Sequence, residues 1–447
     1  MILPLLAAAC MQAEPTPAPQ RAPQPQPVQP AALPGFPHLG TALPAGHTSY
    51  DNGDLARLFT VMSHEMEGGA RRAHLTRFET PVSIGLEGPG AEDVGEFLDR
   101  YLAQLRENAG IRISRGPAPN NLHVRFVDGE RFENTLPAAV CVIAPGNVAW
   151  DDFVRDPLKS TTRALARSRR IDAMTIFIPD NVRPHEARNC LLEEVPQALG
   201  LTNDLYGLGM SSFNDDAAHL WPTKLDYLML RLLYAGAMET GLDRRETELR
   251  ARSILEGINP QGRAAPPLPR LRRATLDRWS QLIGRVFSRE STESGRMTDI
   301  GKALVLIEAK APNSPQHCHT LVTAGRVLSR PAPERALVML DAAARVCDAA
   351  HGPSDIRHAR IRLEAACASL RLGRYAAVIA DAEALWPVLA AHGQDERLAA
   401  LYSMQSDALD ATEPDSSRAA AARELADDWN AYAVGPGRRA ANCKPRT

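Results

Sequence analysis

A chain of 447 residues with 44% hydrophobic residues is long enough for two or three domains with cores of their own. A formal net charge of −2 with 23% charged residues argues against the basic face that nucleic acid selects. There is no run of about 18 apolar residues, so no segment reads as a membrane-spanning helix.

The chain opens on Leu5-Leu6-Ala7-Ala8-Ala9-Cys10. An apolar run with a small residue before cysteine has the form of a lipobox, so residues 1–10 are expected to be a lipoprotein signal and Cys10 the lipidation site. The run lacks Lys or Arg and is short for an export signal, and a start further upstream would account for both. Each buried CH₂ of an acyl chain adds about 0.8 kcal/mol, so anchoring through several chains would be firm. Residues 11–46 hold ten prolines among Gln and Ala. They are expected to be an extended tether, partly polyproline II.

From Asp51 the pattern becomes that of a folded domain, spanning 47–258. Leu55, Leu58, Phe59, Met62 and Met66 recur at helical spacing, as do Val94, Phe97, Leu98, Tyr101, Leu102 and Leu105. Strands are expected at 81–86, 111–113, 122–127, 140–143 and 174–178. Further helices are expected at about 185–200 and 225–234. Asn259-Pro-Gln-Gly and the prolines up to Pro269 mark a linker over 259–274. Residues 275–435 are Ala-rich and helical throughout, and 436–447 reads as a flexible end.

Within that tail Ala350-His351-Gly352 reappears as Ala391-His392-Gly393, each ahead of a helical stretch. Leu370-Arg-Leu-Gly-Arg-Tyr375 resembles the turn between the helices of a tetratricopeptide repeat. The expected fold class is therefore α+β, a mixed sheet with an active-site-type helix, followed by an all-α, tetratricopeptide-like hairpin array. If the array is the binding module, deleting 275–447 is expected to abolish partner capture but not the folding of 50–258.

Chemistry concentrates at Cys190-Leu-Leu-Glu-Glu-Val-Pro-Gln-Ala-Leu-Gly-Leu-Thr-Asn203. This stretch has the frame of the metzincin zinc helix, H-E-x-x-H-x-x-G-x-x-H. Glu194 stands at the catalytic glutamate and Gly200 at the glycine, but Glu193, Gln197 and Asn203 stand at the three ligand positions. One carboxylate and two amides are poor ligands for zinc, which takes imidazole, thiolate or carboxylate. No metal and no cofactor is expected. Pro196 would kink a helix unless it lies in the first turn. The same frame implies a zincin-like fold, with Thr175–Ile178 as a sheet-edge strand ahead of the helix and Met210 or Phe213 in the turn beneath the site.

A closer resemblance covers roughly residues 50–258. Leu75-Thr-Arg-Phe78, Pro81-Val82, Cys141, Cys190-Leu-Leu-Glu-Glu with Gln197-Ala-Leu-Gly-Leu, Asn203-Asp204, Phe213-Asn-Asp215 and Leu232-Leu-Tyr234 together are similar to the proteobacterial family called domain of unknown function 2927. Its members are often lipoproteins, which agrees with Cys10 and implies a cell-envelope location facing the periplasm. The resemblance also implies cysteines at 141 and 190, for which either a disulfide or two buried thiols is open. Seven cysteines otherwise look too sparse for a disulfide scaffold.

Other signals are weaker. His185-Glu186-Ala-Arg-Asn189 is a near-miss for a zinc motif at a helix start. His317-Cys318-His319 falls in a helix's first turn, where adjacent positions diverge by about 100°. His64-Glu65 reads as a solvated helix end, and Asn203-Asp204 with Asp215-Asp216 as turn residues with at most a weak Ca²⁺ preference. The leading expectation is a non-catalytic, envelope-associated binding or scaffold lipoprotein on a degenerate metalloprotease-like domain. It would meet an unknown protein partner, through a peptide strand in the cleft or through the helical repeats, and the membrane through its lipid. The rival is a hydrolase with Glu194 as general base and Glu193, Asp204 or Asp215 as partner acid.

Overall fold

A computed structural model describes residues 50–66, 70–137, 139–157, 164–204, 211–213, 218–265, 271–288, 290–351, 355–435, 437–440 and 443. Cys10, the proline-rich tether, Met210, Asp215 and Asp216 lie outside the described residues. The first domain runs α1 (Asn52–His64), β1 (Val82–Glu87), α2 (Ala91–Ala109), β2 (Ile113–Arg115), β3 (Leu122–Val127), α3 (Gly129–Thr135), β4 (Val142–Pro145), α4 (Trp150–Phe153), α5 (Ala164–Arg167), β5 (Met174–Pro179), α6 (Pro184–Leu199), α7 (Lys224–Leu233) and α8 (Arg244–Ile258).

The five strands form one mixed sheet in the order β2-β1-β3-β5-β4. β1, β2, β3 and β5 are parallel, and β4 runs antiparallel to β5. Parallel neighbours require crossovers, and α2 supplies the one between β1 and β2. β5 lies inside the sheet and not at its edge as expected, since β4 turns back alongside it.

All six residues of β5 are buried because both sheet faces are covered. Met174, Ile176 and Ile178 join the main core with the apolar stripes of α2 and α6. Phe177 points to the other face and packs with Phe132, Trp150 and Phe153. That alternation is the two-residue period of a strand covered on both sides.

α1 starts where the Asp51 carboxylate caps the Asp54 amide at 3.0 Å, satisfying an orphan donor of the first turn. Its far end departs from expectation: His64 is buried, not solvated. Nδ1 donates to the Arg72 carbonyl at 3.2 Å, and Nε2 accepts from the Thr247 hydroxyl of α8 at 2.9 Å. Burial, with the charges of Arg72 and Arg244 adding to it, holds this imidazole down at about 4. In the unfolded chain it titrates near 6.5. The unfolded state therefore binds the extra proton between these values, and stability rises with pH across that window. His64 contributes in full above pH 6.5, and roughly 3 kcal/mol is expected to be lost as pH falls through 4. Chemical-denaturation curves from pH 7 to 4 check this: His64→Gln should show a shallower loss than the native chain, and equal slopes would contradict the assignment.

The second region is all helix: α9 (Arg273–Phe287), α10 (Glu293–Lys310), α11 (Pro315–Leu328), α12 (Pro333–His351), α13 (Ile356–Arg371), α14 (Tyr375–Ala391), α15 (Asp395–Thr412) and α16 (Ser417–Ala433). Each helix packs on the next. The tight turns after α13 and α14 use Gly373 and Gly393 at φ 70° and 64°, a left-handed conformation that costs glycine little.

The expectation for the cysteines is corrected. The cysteines do form a framework: Cys141–Cys190, Cys318–Cys347 and Cys367–Cys443 are bonded. Among the described residues near the C-terminus, Cys443 is bonded to Cys367, Arg439 donates to the Ser403 carbonyl at 2.7 Å, and the Ala440 amide donates to Asn430. The linker is also partly structured. Pro260–Arg263 forms a 3₁₀ turn, and Asn259 donates to Asn52 at 2.9 Å.

Candidate functional site

The motif helix is α6. It follows β5 directly, opens with Pro184 at its first position, and buries Leu191, Leu192, Val195, Ala198 and Leu199 against the core. Burying each of the Leu and Val side chains is worth roughly 1.5–3 kcal/mol, so the helix is held whatever its polar face does. Pro196 lies in the last turn of α6, not the first. Lacking an N–H, it leaves the Leu192 carbonyl without its helical donor. The buried Tyr101 hydroxyl of α2 donates to that carbonyl at 3.5 Å.

The polar positions divide by helix geometry. Glu193 is exposed, whereas Glu194, Gln197 and, beyond the helix, Asn203 are buried. Adjacent residues diverge by about 100°, so Glu193 and Glu194 are not placed as a carboxylate pair. Glu193, Glu194, Gln197 and Asp204 each have an interaction partner. The frame thus brings one buried carboxylate and two buried amides to the end of α6, with no imidazole among the motif positions.

The turn behind the helix is fixed on several sides. Gly200 takes φ 130°, and its amide donates to the Gln197 carbonyl at 3.0 Å. The Thr202 amide donates to the Met62 carbonyl at 2.9 Å, its hydroxyl donates to the Glu65 carbonyl at 3.0 Å, and Arg72 donates to that hydroxyl at 3.3 Å. Asn203 is therefore delivered by contacts to the end of α1.

Several residues of the family pattern have structural work. Arg77 donates to the Leu233 and Ala235 carbonyls at 2.7 and 3.2 Å, closing the end of α7. Its guanidinium sits 5.5 Å from the centre of the Tyr234 ring, and the Tyr234 hydroxyl donates to the Leu199 carbonyl at 3.2 Å. Phe213 is buried in the main core.

Sequence reasoning missed Asp226. This buried carboxylate of α7 accepts from the Thr223 amide at 2.6 Å, the Ser212 amide and hydroxyl at 2.9 Å each, and the Ser211 hydroxyl. Burial raises its pKa even against those donors. The capping box Thr223…Asp226 was readable in the sequence as a helix start, but the return of Ser211 and Ser212 to it was not.

The helical array packs on this domain beside the site. Ala218 lies in the core of the array, and its carbonyl accepts from Gln394 Nε2 at 3.0 Å. His219 Nε2 is 3.4 Å from Asp355, the N-cap of α13. Trp221 lies 5.8 Å from Phe97 of α2, ring to ring. A Cβ on Gly393 would come 2.1 Å from the indole nitrogen of Trp221. At the start of α6, Arg188 donates to the Tyr432 hydroxyl at 2.8 Å and faces Asp395 at 3.6 Å. The tail is thus fitted to the segment after the motif and to the helix that carries it.

The weaker metal signal at 317–319 changes meaning, because Cys318 is bonded to Cys347 and His317 Nδ1 accepts from the Asn313 amide at 3.2 Å.

The class defined by these features is an α/β domain, with a mixed five-stranded sheet and a motif helix after its last strand, joined to an all-helical region. Residues 52–252 match the model of the family described as protein of unknown function (DUF2927). No curated protein and no solved structure matches the chain.

Proposed function

We propose that the protein is a cell-envelope lipoprotein in which a zincin-like domain without zinc chemistry, backed by a tetratricopeptide-like array, binds a protein partner. The observation that carries this reading is the donor set at the end of α6: the exposed carboxylate of Glu193 and the buried amides of Gln197 and Asn203. Losing a partner to a metal ligand alone costs about 10–100-fold in affinity, and here every imidazole is replaced. The mixed sheet feeding a helix of this motif supports the zincin-like reading. β4 is a sheet edge among the described residues, and an edge strand pairs with an extended peptide without any metal.

Three disulfides support an oxidising compartment. They occupy six of the seven cysteines, which leaves Cys10 as the lone thiol and supports acylation there.

One experiment on the full chain tests both halves. Labelled fatty acid should enter the native chain and not Cys10→Ala, and neither the native chain nor Glu194→Gln should cleave a peptide library while both retain the same partner. Peptidase activity that disappears in Glu194→Gln would install the hydrolase reading, and label in Cys10→Ala would end the anchor.

A further inference from the structure

We propose that His185, Glu186 and Glu396 form a site for a divalent transition-metal ion, Zn²⁺ foremost, that clips α6 of the α/β domain to α15 of the helical array. One ligand atom from each residue lies within 4.8 Å of the others. His185 is only 3% exposed, and among the described residues neither of its ring nitrogens has a hydrogen-bond partner. A buried imidazole left so is unfavourable, because its lost hydration is not replaced. A metal ion satisfies the same lone pair that no protein donor reaches.

The surroundings hold the three groups in place. The His185 ring packs against Tyr432 with centroids 5.4 Å apart. Glu186 is fixed through one oxygen, which accepts from the Arg183 amide at 2.6 Å, leaving the other for an ion. Glu396 is exposed and able to rotate. A tetrahedral ion holds its donors roughly 3.4 Å apart, so this side chain closes the remaining gap.

Charge decides the sign of the ligand. Both helices begin here, and each N-terminus contributes about half a positive charge. Glu186, Asp395 and Glu396 face these; Arg188 and Arg183 both act on His185, and Arg188 is engaged by Asp395 and Tyr432. One imidazole and two carboxylates suit Zn²⁺ or a neighbouring transition ion better than Ca²⁺ or Mg²⁺, which prefer all-oxygen shells. The cluster is separate from the ligand positions of the motif, which lie at the opposite end of α6.

The test uses the full chain, stripped with chelator and titrated with ZnCl₂, with retained metal and thermal unfolding both measured. One ion per chain and a Tm raised by zinc are expected. His185→Ala and Glu396→Gln should each weaken binding tenfold or more and remove the Tm response. Glu193→Ala and Gln197→Ala should bind as the native chain does. Glu396→Gln changes only an exposed side chain, so a folding defect in His185→Ala does not decide the outcome. No retained zinc, or zinc retained equally by Glu396→Gln, overturns the site. Zinc lost only in Glu193→Ala and Gln197→Ala overturns it too, and with it the inert-cleft reading.

Discussion

Replacing Cys141 and Cys190 together by serine is expected to lower the stability of the α/β domain by about 4 kcal/mol. The bond joins the approach to edge strand β4 to the middle of α6 across 49 residues of sequence. Breaking it frees in the unfolded chain a loop that contains β4, β5 and the start of the motif helix. The expected loss rests on the logarithm of loop length, so the 76-residue separation of Cys367–Cys443 should give only a slightly larger value. The effect is also local. Cys190 is buried beside Leu191 and Leu192, and a serine hydroxyl there loses the bond and gains a polar group to satisfy. Denaturant unfolding followed through Trp150 and Trp221, both within this domain, checks the value. A midpoint unchanged in the double variant and in reductant would mean that the two thiols are not joined in the folded protein.

The covalent links and the packing of the array suggest how the binding function would be organised. β4, the sheet edge proposed to take a peptide, is tied to α6 by a disulfide. α6 is tied to the array through Arg188, Asp395 and Tyr432. A partner on the helical repeats and a peptide along β4 would therefore act on one connected body. On the proposed reading, coupling between the two surfaces would follow from the packing alone.

Much of the α/β domain was legible because its elements are strongly patterned. The alternation in β1 and β3, the continuous run Met174–Ile178 and the stripe Val94–Leu105 each satisfy one period only; the strands appear within one residue of the expected bounds, and the stripe lies inside α2. α8 was missed because it buries little. Thr247, Ala251 and Leu255 are its buried residues, and its charged remainder hides the stripe. His64 looked solvated because its partners, Arg72 and Thr247, lie on other elements. The motif frame gave Glu193, Glu194, Gln197, Gly200 and Asn203 by position, but their burial depends on the last turn of α6 and on the end of α1. The tail disulfides were invisible for a different reason: within Ala-rich helices a cysteine reads as one more small apolar residue. His185 and Glu186 were noticed as a pair. Their third member, Glu396, belongs to a helix near the other end of the chain, and only the docking of α15 brings it close.

Gly200→Ala is expected to cost about 2–4 kcal/mol, a large effect for the addition of one methyl group. Two causes act together. At φ 130° an L-residue is strained whatever surrounds it. The new Cβ would also come 2.5 Å from the Thr76 carbonyl oxygen, a backbone atom within the segment that Arg77 fastens to the end of α7. Neither side yields without moving the other. Gly110 supplies the comparison: it caps α2 at φ 70°, and a Cβ there meets nothing within 4 Å. Gly110→Ala should therefore cost only about 1 kcal/mol, the conformational part alone. The difference between the two variants isolates the contact with Thr76. Because Gly200 steers Leu201–Asn203 onto the end of α1, the variant should also weaken partner binding if the cleft carries it, whereas Gly110→Ala should not. Equal destabilisation in the two variants would show that the close approach of Gly200 to Thr76 does not direct the chain out of the motif helix.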